Sequence, residues 1–420
     1  MVDRRSGVTR RRLLRTSSTV AVLAVARTLL PRGAFAQGTG PEVDRVRLGL
    51  IALTDAAPLI VAQVKGLFAK HGLAEATVVR QPSWAALRDN VAAGALDGAQ
   101  MMSPLPYLMH TGKAMPDGKP VPMTILLRLN LNGQGISLDK SLLTTGTKLD
   151  SKPMKAVYEP GDVVAMTFPG GTQDLWLRYW LAAGGIDPSK DVKPIVVPPP
   201  QMVHNIKIGT MDTLCVGEPW NGQIVNQGLG FSACVTGEIW KDHPEKALGM
   251  RADWVAKNPR AAEAVTAAVI EAQQWCEKLE NKAEMVKIIS GEAWCNMPEA
   301  DILPRAMGDI DYGDGRKVTG SPLRMKFFAN HASYPFKSHD LWFITENMRW
   351  GQLPAATDAK ALISAVNRED IWRAAAKSLG LAAADIPRGF SRGAETFFDG
   401  IVFDPEAPEK YLASQKFKVG

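Results

Sequence analysis

The feature that most constrains the fold of this chain is a double series of short apolar segments that alternate with helical patterns. The first series contains segments 46–51, 76–80 and 97–101, and the second contains 163–168, 193–197 and 213–217. Strands that alternate with helices predict a parallel, doubly wound sheet. Two successive series therefore predict an α/β protein of two lobes, each built on a mostly parallel sheet.

The pattern also predicts how the chain is divided between the lobes. Residues around 140–160 are rich in Lys, Thr, Gly and Pro, which is typical of a crossing between domains. We assign residues 45–140 and about 250–355 to the first lobe, and residues 145–245 to the second. Residues 356–420 form a C-terminal extension that begins as helix. Ligands of such sheets bind outside the carboxyl ends of the strands, and two lobes can close around a small molecule.

Residues 1–36 have the pattern of a twin-arginine export signal. Thr9 is followed by three arginines and Leu13-Leu14. An apolar stretch covers 19–26, and Ala34-Phe35-Ala36 fits a signal-peptidase site. The mature chain should begin near Gln37, in the periplasm, after export in folded form by the twin-arginine machinery. No cysteine lies near the cut, so we expect no lipid anchor.

The net charge of +6 comes from the signal segment. Residues 1–36 hold eight arginines and one aspartate, which leaves 41 basic and 42 acidic residues in the rest of the chain. The mature protein is therefore nearly neutral, and its charge gives no reason to expect nucleic acid as a partner. After the signal no apolar run approaches the ~20 residues that span a bilayer.

The four cysteines do not define a metal site or a disulfide framework. Disulfides are possible in the periplasm, but Cys215, Cys234, Cys276 and Cys295 allow three pairings and their order does not choose among them. No pair has CxxC spacing, so we expect no zinc site. Free, buried thiols are the simplest expectation for a chain long enough to build its own core.

A few segments could hold a small anion. Pro169-Gly170-Gly171-Thr172 opens a predicted helix whose backbone N–H groups and dipole would favour an anion, although such glycines are more often structural. Trp84 offers an indole donor that would suit an oxyanion, although a tryptophan at such a position is more often a core residue. Gln134 offers an amide in a polar turn. Lys246 ends a charged loop that is normally solvated, so it matters only if it points inward.

Other polar residues have simpler structural explanations, and no catalytic arrangement is apparent. Thr54 or Asp55 is placed to cap the first helix. GxSxG and HExxH are absent, and no cysteine has an evident histidine partner. The six histidines are scattered, which argues against a transition-metal cluster. These absences favour a binding protein over an enzyme.

Seven segments, in order, carry a family resemblance. They are Leu53–Leu59, Ser83–Ala85, Asn132–Gln134, Phe168–Thr172, Val216–Trp220, Trp240–Pro244 and Phe343–Gly351. Together they resemble the nitrate- and bicarbonate-binding proteins of cyanobacterial-type ABC transporters. The resemblance implies a type II periplasmic-binding fold, a small oxyanion in the interlobe cleft, no catalysis, and delivery of the ligand to an inner-membrane permease.

The resemblance also implies which residues hold the ligand. In the nitrate-binding branch a tryptophan, a glutamine, a histidine and a lysine do so, and the first two match Trp84 and Gln134. Where the nitrate-binding branch has histidine, this chain has Gln173, and the bicarbonate branch also has glutamine at that position. Lys246 matches the lysine. Gly171, Thr172 and Glu218 are further candidates. The bicarbonate branch uses calcium, for which Glu245 and Gln173 would be the ligands here.

Nitrate or nitrite is the first hypothesis for the ligand. Nitrate accepts hydrogen bonds only and needs a cation, which Lys246 supplies. Bicarbonate also carries an O–H that needs an acceptor or a metal, so a calcium-dependent bicarbonate receptor is the alternative. A taurine-type sulfonate receptor and a nitrate sensor with a regulatory partner are further alternatives. In the nitrate hypothesis no cofactor is required.

Overall fold

Two five-stranded sheets organise the chain in the computed structural model, which describes residues 40–419. The predicted signal peptide lies outside the described residues. The strands of the first sheet are β1 (Arg47–Leu50), β2 (Thr77–Arg80), β3 (Gly98–Met102), β4 (Met123–Arg128) and β10 (Lys246–Arg251). Those of the second are β5 (Gln134–Asp139), β6 (Val163–Met166), β7 (Lys193–Val196), β8 (Thr213–Gly217) and β9 (Gly230–Val235).

The two sheets have the same internal plan. Their strand orders are β2-β1-β3-β10-β4 and β7-β6-β8-β5-β9. In each sheet the fourth strand in that order runs antiparallel to both of its neighbours, and the remaining neighbours pair in parallel. The two antiparallel strands, β5 and β10, are those that the chain enters directly after crossing from the other sheet.

The first crossing between the lobes does not lie in the stretch at 140–160. Strand β5 lies in the second sheet, whereas the sequence placed residues 45–140 in the first lobe, and the chain crosses at about 129–133. This segment runs beside the returning crossing at 241–245: Leu131 bridges Pro244, and Asn132 N donates to His243 O over 3.0 Å. Residues 129–132 and 242–245 are buried, even though these two segments contain polar and charged side chains. The Lys- and Thr-rich stretch after 140 instead forms 3-10 turns within the second lobe.

Helices cover the faces of both sheets. Those up to residue 257 are α1 (Ala57–Val64), α2 (Leu67–Lys70), α3 (Trp84–Ala92), α4 (Leu105–His110), α5 (Thr172–Ala183), α6 (Pro199–Lys207), α7 (Trp220–Asn226), α8 (Thr236–Ile239) and α9 (Ala252–Lys257). The later ones are α10 (Pro259–Glu277), α11 (Lys282–Ser290), α12 (Glu299–Met307), α13 (Lys337–Arg349), α14 (Ala359–Val366), α15 (Glu369–Ser378) and α16 (Pro408–Ser414). The long helix α10 packs against α1 and α15. No helix within residues 40–419 is both long and apolar enough to cross a bilayer.

The C-terminal extension is attached to the first lobe and also reaches the second. Helices α14 and α15 pack on β4, and α16 packs on α13. Two short hairpins complete the described strands, β11 (Ile310–Asp311) with β12 (Lys317–Val318) and β13 (Glu395–Thr396) with β14 (Val402–Phe403). Phe397 stacks on Tyr179 of α5 with ring centroids 4.8 Å apart, and the Tyr179 hydroxyl donates to Asp399 over 3.1 Å.

The four cysteines are free and buried. Cys215 and Cys234 lie in the second sheet, Cys276 in α10, and Cys295 after α11. Burial raises the pKa of each thiol, so all four remain protonated and packed as small apolar side chains.

Candidate functional site

The candidate residues converge between the two sheets, at the carboxyl ends of the parallel strands. Asp55 follows β1, Trp84 begins the helix after β2, and Thr172 begins the helix after β6. Gln134 and Lys246 are the first residues of the two antiparallel strands, β5 and β10. The two crossings therefore deliver an amide and an ammonium to the same place, from opposite lobes.

Lys246 supplies a fully buried positive charge. Its Nζ lies 2.7 Å from Oε1 of Glu245 and 3.2 Å from Oδ2 of Asp55. It also lies 5.6 Å from the centroid of the Trp84 ring. Burial opposes the charged form, but the two carboxylates outweigh it and raise the pKa of Lys246. The side chain is therefore an ammonium. The expectation that the loop at 240–246 is solvated is wrong, because every residue from 242 to 246 is buried.

Glu245 ties the crossing strand to the second lobe. Its carboxylate accepts a hydrogen bond from the Thr172 hydroxyl, from Gln173 Nε2 over 3.2 Å and from Trp176 Nε1 over 2.9 Å. All three donors belong to the first two turns of α5. With Lys246, the carboxylate has four donors, which stabilise its negative charge in a buried position.

Two glutamines of the second lobe form a polar chain that reaches Asp55 of the first lobe. Gln173 Nε2 donates to Gln134 Oε1 over 2.6 Å, and Gln134 Nε2 donates to Asp55 Oδ2 over 3.2 Å. The Thr167 hydroxyl fixes the other end of Gln173 by donating to Oε1 over 2.8 Å. Gly133 precedes Gln134 with a φ of +88°, a conformation that favours glycine and turns the chain into β5.

Trp84 carries a buried donor without a partner. Ser83 caps the helix by accepting a hydrogen bond from Ala86 N over 3.1 Å, which places Trp84 at the first helical position. The Trp84 side chain is 1% exposed, and Nε1 has no acceptor within residues 40–419. An unsatisfied buried donor costs about 1–3 kcal/mol. A donor left open beside an ammonium indicates a place for an acceptor.

Asp55 is the member of the cluster that sequence reasoning missed. It was considered only as a helix cap, but it makes no capping hydrogen bond. Its carboxylate instead accepts from Gln100 Nε2 and Gln134 Nε2 and faces Lys246. Burial raises the pKa of Asp55. The available signal was its position within the otherwise apolar stretch 48–62, where a charged residue needs a buried partner.

The remaining candidates occupy different places. Thr172 contacts Glu245 directly, whereas Gly171 provides room: a methyl group there would lie 2.5 Å from Sδ of Met102. The structure does not bring the Glu218 side chain into the cluster. Its Oε1 accepts from Arg305 NH1 over 2.7 Å, at a cavity of about 20 Å³ that Gln134 also lines.

The histidine before Glu245 is neutral. His243 is fully buried, and its Nδ1 donates to Pro244 O over 3.0 Å while Nε2 accepts from the Thr236 hydroxyl over 2.7 Å. Burial lowers the pKa of His243 to about 3. It therefore adds no charge to the cluster and supports the backbone that leads to Glu245.

The residues of the alternative calcium site lie together but are already engaged. Gln173 Nε2 and Glu245 Oε1 are 3.2 Å apart, and Lys246 contacts the same carboxylate oxygen. Within the described part of the chain no group of three or more His, Cys, Asp or Glu residues could hold a metal ion. The Lys246 ammonium is thus bound to the Glu245 oxygen that a calcium ion would need as a ligand.

Two lobes with a polar cluster between their sheets define a two-lobed binding protein. The model of the NMT1-like family matches residues 39–290, and the chain belongs to this family. The nitrate/nitrite binding protein NrtA of Synechococcus elongatus is 55% identical over 391 residues, which cover 91% of this chain and 88% of that protein. The bicarbonate-binding protein CmpA of the same organism is 42% identical, covering 90% of this chain and 88% of CmpA.

A solved structure shows the same architecture. The crystal structure of the periplasmic nitrate-binding protein NrtA from Synechocystis matches with a TM-score of 0.89 and 53% sequence identity. The match covers 90% of this chain and all of that one. The predicted resemblance and the predicted two-lobed fold are therefore both confirmed.

Proposed function

We propose that this protein is the periplasmic solute-binding component of an ABC importer and that it captures nitrate, or nitrite, between its lobes. Its higher identity to a nitrate/nitrite binding protein than to a bicarbonate-binding protein supports this choice of ligand. In this role the protein catalyses nothing and needs no cofactor. It releases the anion to the permease in the inner membrane.

The observation that carries the proposal is the open indole donor of Trp84 next to the Lys246 ammonium. Nitrate is a planar anion with acceptors only, so each of its oxygens needs a donor. Trp84 Nε1 provides one. Lys246 has three N–H bonds, of which Asp55 and Glu245 engage two. The third is available to a ligand and offsets its charge.

The glutamine pair provides the remaining specificity. Gln134 and Gln173 are hydrogen-bonded to each other over 2.6 Å, so a ligand that enters between them replaces that contact with two. An amide rotates to present its NH₂ to an acceptor, which suits nitrate. Because both glutamines belong to the second lobe whereas Trp84 and Lys246 belong to the first, the bound anion links the lobes and stabilises the closed form.

Bicarbonate with calcium is the second candidate. The proximity of Gln173 to Glu245 favours it, since each side chain carries an oxygen that could bind a cation once the Gln173 amide turns its oxygen toward Glu245. Against it stands Lys246, whose ammonium repels a divalent ion at the same carboxylate oxygen. A calcium-dependent site would require this lysine to move away, which its full burial opposes.

The route to the periplasm is part of the proposal. Arg10, Arg11 and Arg12 with the following leucines support twin-arginine export, cleavage near Gln37 and a mature protein without a lipid anchor. Residues 1–40 fused to a reporter should reach the periplasm only in cells with an active twin-arginine translocase. Replacing Arg11 and Arg12 by lysines should block this. Export of the unaltered fusion without the translocase would contradict the route.

Calorimetric titration of residues 37–420 tests the ligand. We expect sodium nitrate and sodium nitrite to bind one to one, with the same affinity in calcium and in chelator. Taurine serves as the sulfonate and should not compete. Binding of bicarbonate alone, and only with calcium, would contradict the nitrate assignment.

A further inference from the structure

The buried cluster has more negative than positive charge before any ligand enters. Asp55, Glu245 and Lys246 are all fully buried, and two carboxylates face one ammonium. Their formal net charge is −1. A monovalent anion bound at the same place would bring the net charge of the cluster to −2, which is strongly unfavourable in a low-dielectric site.

We propose that Asp55 takes up one proton from solvent when the anion binds. This rests on the proposed function. The carboxylate of Asp55 becomes a carboxylic acid, its O–H bond being the only bond formed, and the anion enters unchanged. The net charge of the cluster then stays at −1 in both states. Ligand capture is thereby coupled to pH, and Asp55 determines that coupling.

The contacts of the two carboxylates show why Asp55 is the one to be protonated. Glu245 accepts from four donors, with the ammonium at 2.7 Å. Asp55 accepts from two glutamine amides, and the ammonium lies farther away at 3.2 Å. Loss of negative charge therefore costs less at Asp55. Burial also raises the pKa of this residue.

The other groups that face Asp55 do not alter this charge balance. The Cys295 thiol is protonated, because burial raises its pKa to about 12. His243, behind Glu245, is neutral at any pH well above 3. Between the lobes, Thr54 N donates to the backbone oxygen of Glu218 over 2.8 Å. The carboxylate of Glu218 is paired with the Arg305 guanidinium.

A protonated Asp55 also has a chemical use in the bound state. As a carboxylic acid it offers one more hydrogen-bond donor, next to Lys246. A carboxylate at the same place would repel each anion oxygen. The proton thus converts a repulsive neighbour of the ligand into a donor.

Calorimetry in buffers of different ionisation enthalpy measures the coupling directly. Wild-type protein titrated with sodium nitrate at pH 8 should take up about one proton per anion, and the dissociation constant should rise about tenfold per pH unit above the pKa of Asp55 in the empty site. Nitrate binding without proton uptake between pH 5 and 9 would overturn the coupling and leave the proposed function intact. Absence of nitrate binding at every pH would overturn the proposed function itself.

Two variants identify the acceptor. D55N mimics the protonated acid, so it should bind nitrate with little dependence on pH and more tightly than wild type at pH 8. D174N removes another buried carboxylate, one that faces Arg178 over 2.6 Å, and should keep the coupling. Proton uptake that persists in D55N would overturn the assignment to Asp55.

Infrared difference spectroscopy keeps the proposal testable if D55N does not fold. Addition of nitrate to the wild-type protein should produce the carbonyl band of a protonated carboxyl group. Absence of this band under saturating nitrate at pH 8 would overturn the proposal.

Discussion

Lys246 Nζ lies 2.7 Å from Oε1 of Glu245, its neighbour in the chain, and both side chains are fully buried. Adjacent residues within a strand point to opposite faces of a sheet. This pair forms because Lys246 is the first residue of β10 and Glu245 still belongs to the crossing segment. The end of the returning crossing and the charge of the site are therefore built by the same two residues.

Removal of the ammonium should abolish anion capture and weaken the fold. In K246M, Asp55 and Glu245 lose their cation, and breaking a buried pair costs about 3–5 kcal/mol in the free energy of unfolding. We expect nitrate affinity to fall at least ~30-fold, since loss of a buried charged partner costs about 2–5 kcal/mol in binding. Calorimetry and urea denaturation measure the two effects.

The controls separate charge from stability. K241M changes an exposed lysine of the same loop and should leave both measurements unchanged. K246M/D55N also removes one of the two carboxylates that K246M leaves without a cation. It should recover part of the stability but none of the nitrate binding. Full binding by the double variant would show that Lys246 does not contact the anion.

The Trp84 indole nitrogen should matter to the ligand and not to the empty protein. W84F keeps an aromatic ring and removes an N–H that has no acceptor within the described residues. We expect nitrate affinity to fall about 10- to 150-fold, the value of one hydrogen bond to a charged group. Without nitrate, the melting temperature should fall only by the amount expected when the smaller phenyl ring replaces the buried indole.

A second tryptophan provides the contrast for that experiment. Trp176 Nε1 donates to Glu245 Oε2 over 2.9 Å, so W176F removes a hydrogen bond that exists without ligand. We expect W176F to lower the melting temperature of the unliganded protein more than W84F does. Equal losses of nitrate affinity and of stability in the two variants would contradict the distinct role of Trp84.

Gly171 should be required for space and not for backbone freedom. Its φ of −75° is open to any residue, but an alanine methyl would lie 2.5 Å from Sδ of buried Met102 and 3.0 Å from Phe168 O. We expect G171A to lose about 1–3 kcal/mol in the free energy of unfolding, the usual cost of overpacking. G171A/M102A removes the sulfur and should be less destabilised than the sum of the single variants. Additive losses would contradict the contact.

The fold was predictable because strand and helix patterns are local. Strand β8 is predicted at 213–217 and lies at Thr213–Gly217. The lobe boundary was not predictable in the same way. Residues 129–132 of the crossing are buried beside the returning chain and carry no run of linker residues, whereas the polar stretch after 140 belongs inside the second lobe.

The site was predictable only where the family resemblance reached it. Trp84 and Gln134 lie in matched segments, Gln173 and Lys246 follow closely after two others, and the structure brings the four together. Asp55 also lies within a matched segment, but its position just before a helix already explained it as a helix cap. Its actual partners, Gln100 and Lys246, are 45 and 191 positions away in the chain, and only the tertiary fold joins them.

His339 should make the protein less stable as the pH falls. It is fully buried in α13, its imidazole lies against Trp240 and Phe336, and neither ring nitrogen has a hydrogen-bond partner within the described residues. Burial lowers its pKa to about 3, whereas an unfolded histidine titrates near 6.5. Between these two values the unfolded chain binds a proton that the folded chain does not. Stability is thus present above pH 6.5 and is lost as the pH falls, by up to ~1.4 kcal/mol per pH unit.

Replacement by an aromatic residue that cannot titrate tests this argument. H339F should fit the same ring contacts and remove this share of the pH dependence, so that its unfolding free energy falls less between pH 7 and pH 5 than that of the wild type. Urea denaturation at a series of pH values measures the slope. H204Q, at an exposed position on α6, is the control and should follow the wild type. Because His243 is buried with a pKa of about 3 as well, about half of the histidine-linked slope should remain in H339F. An unchanged slope would mean that His339 is accessible to protons in the folded protein.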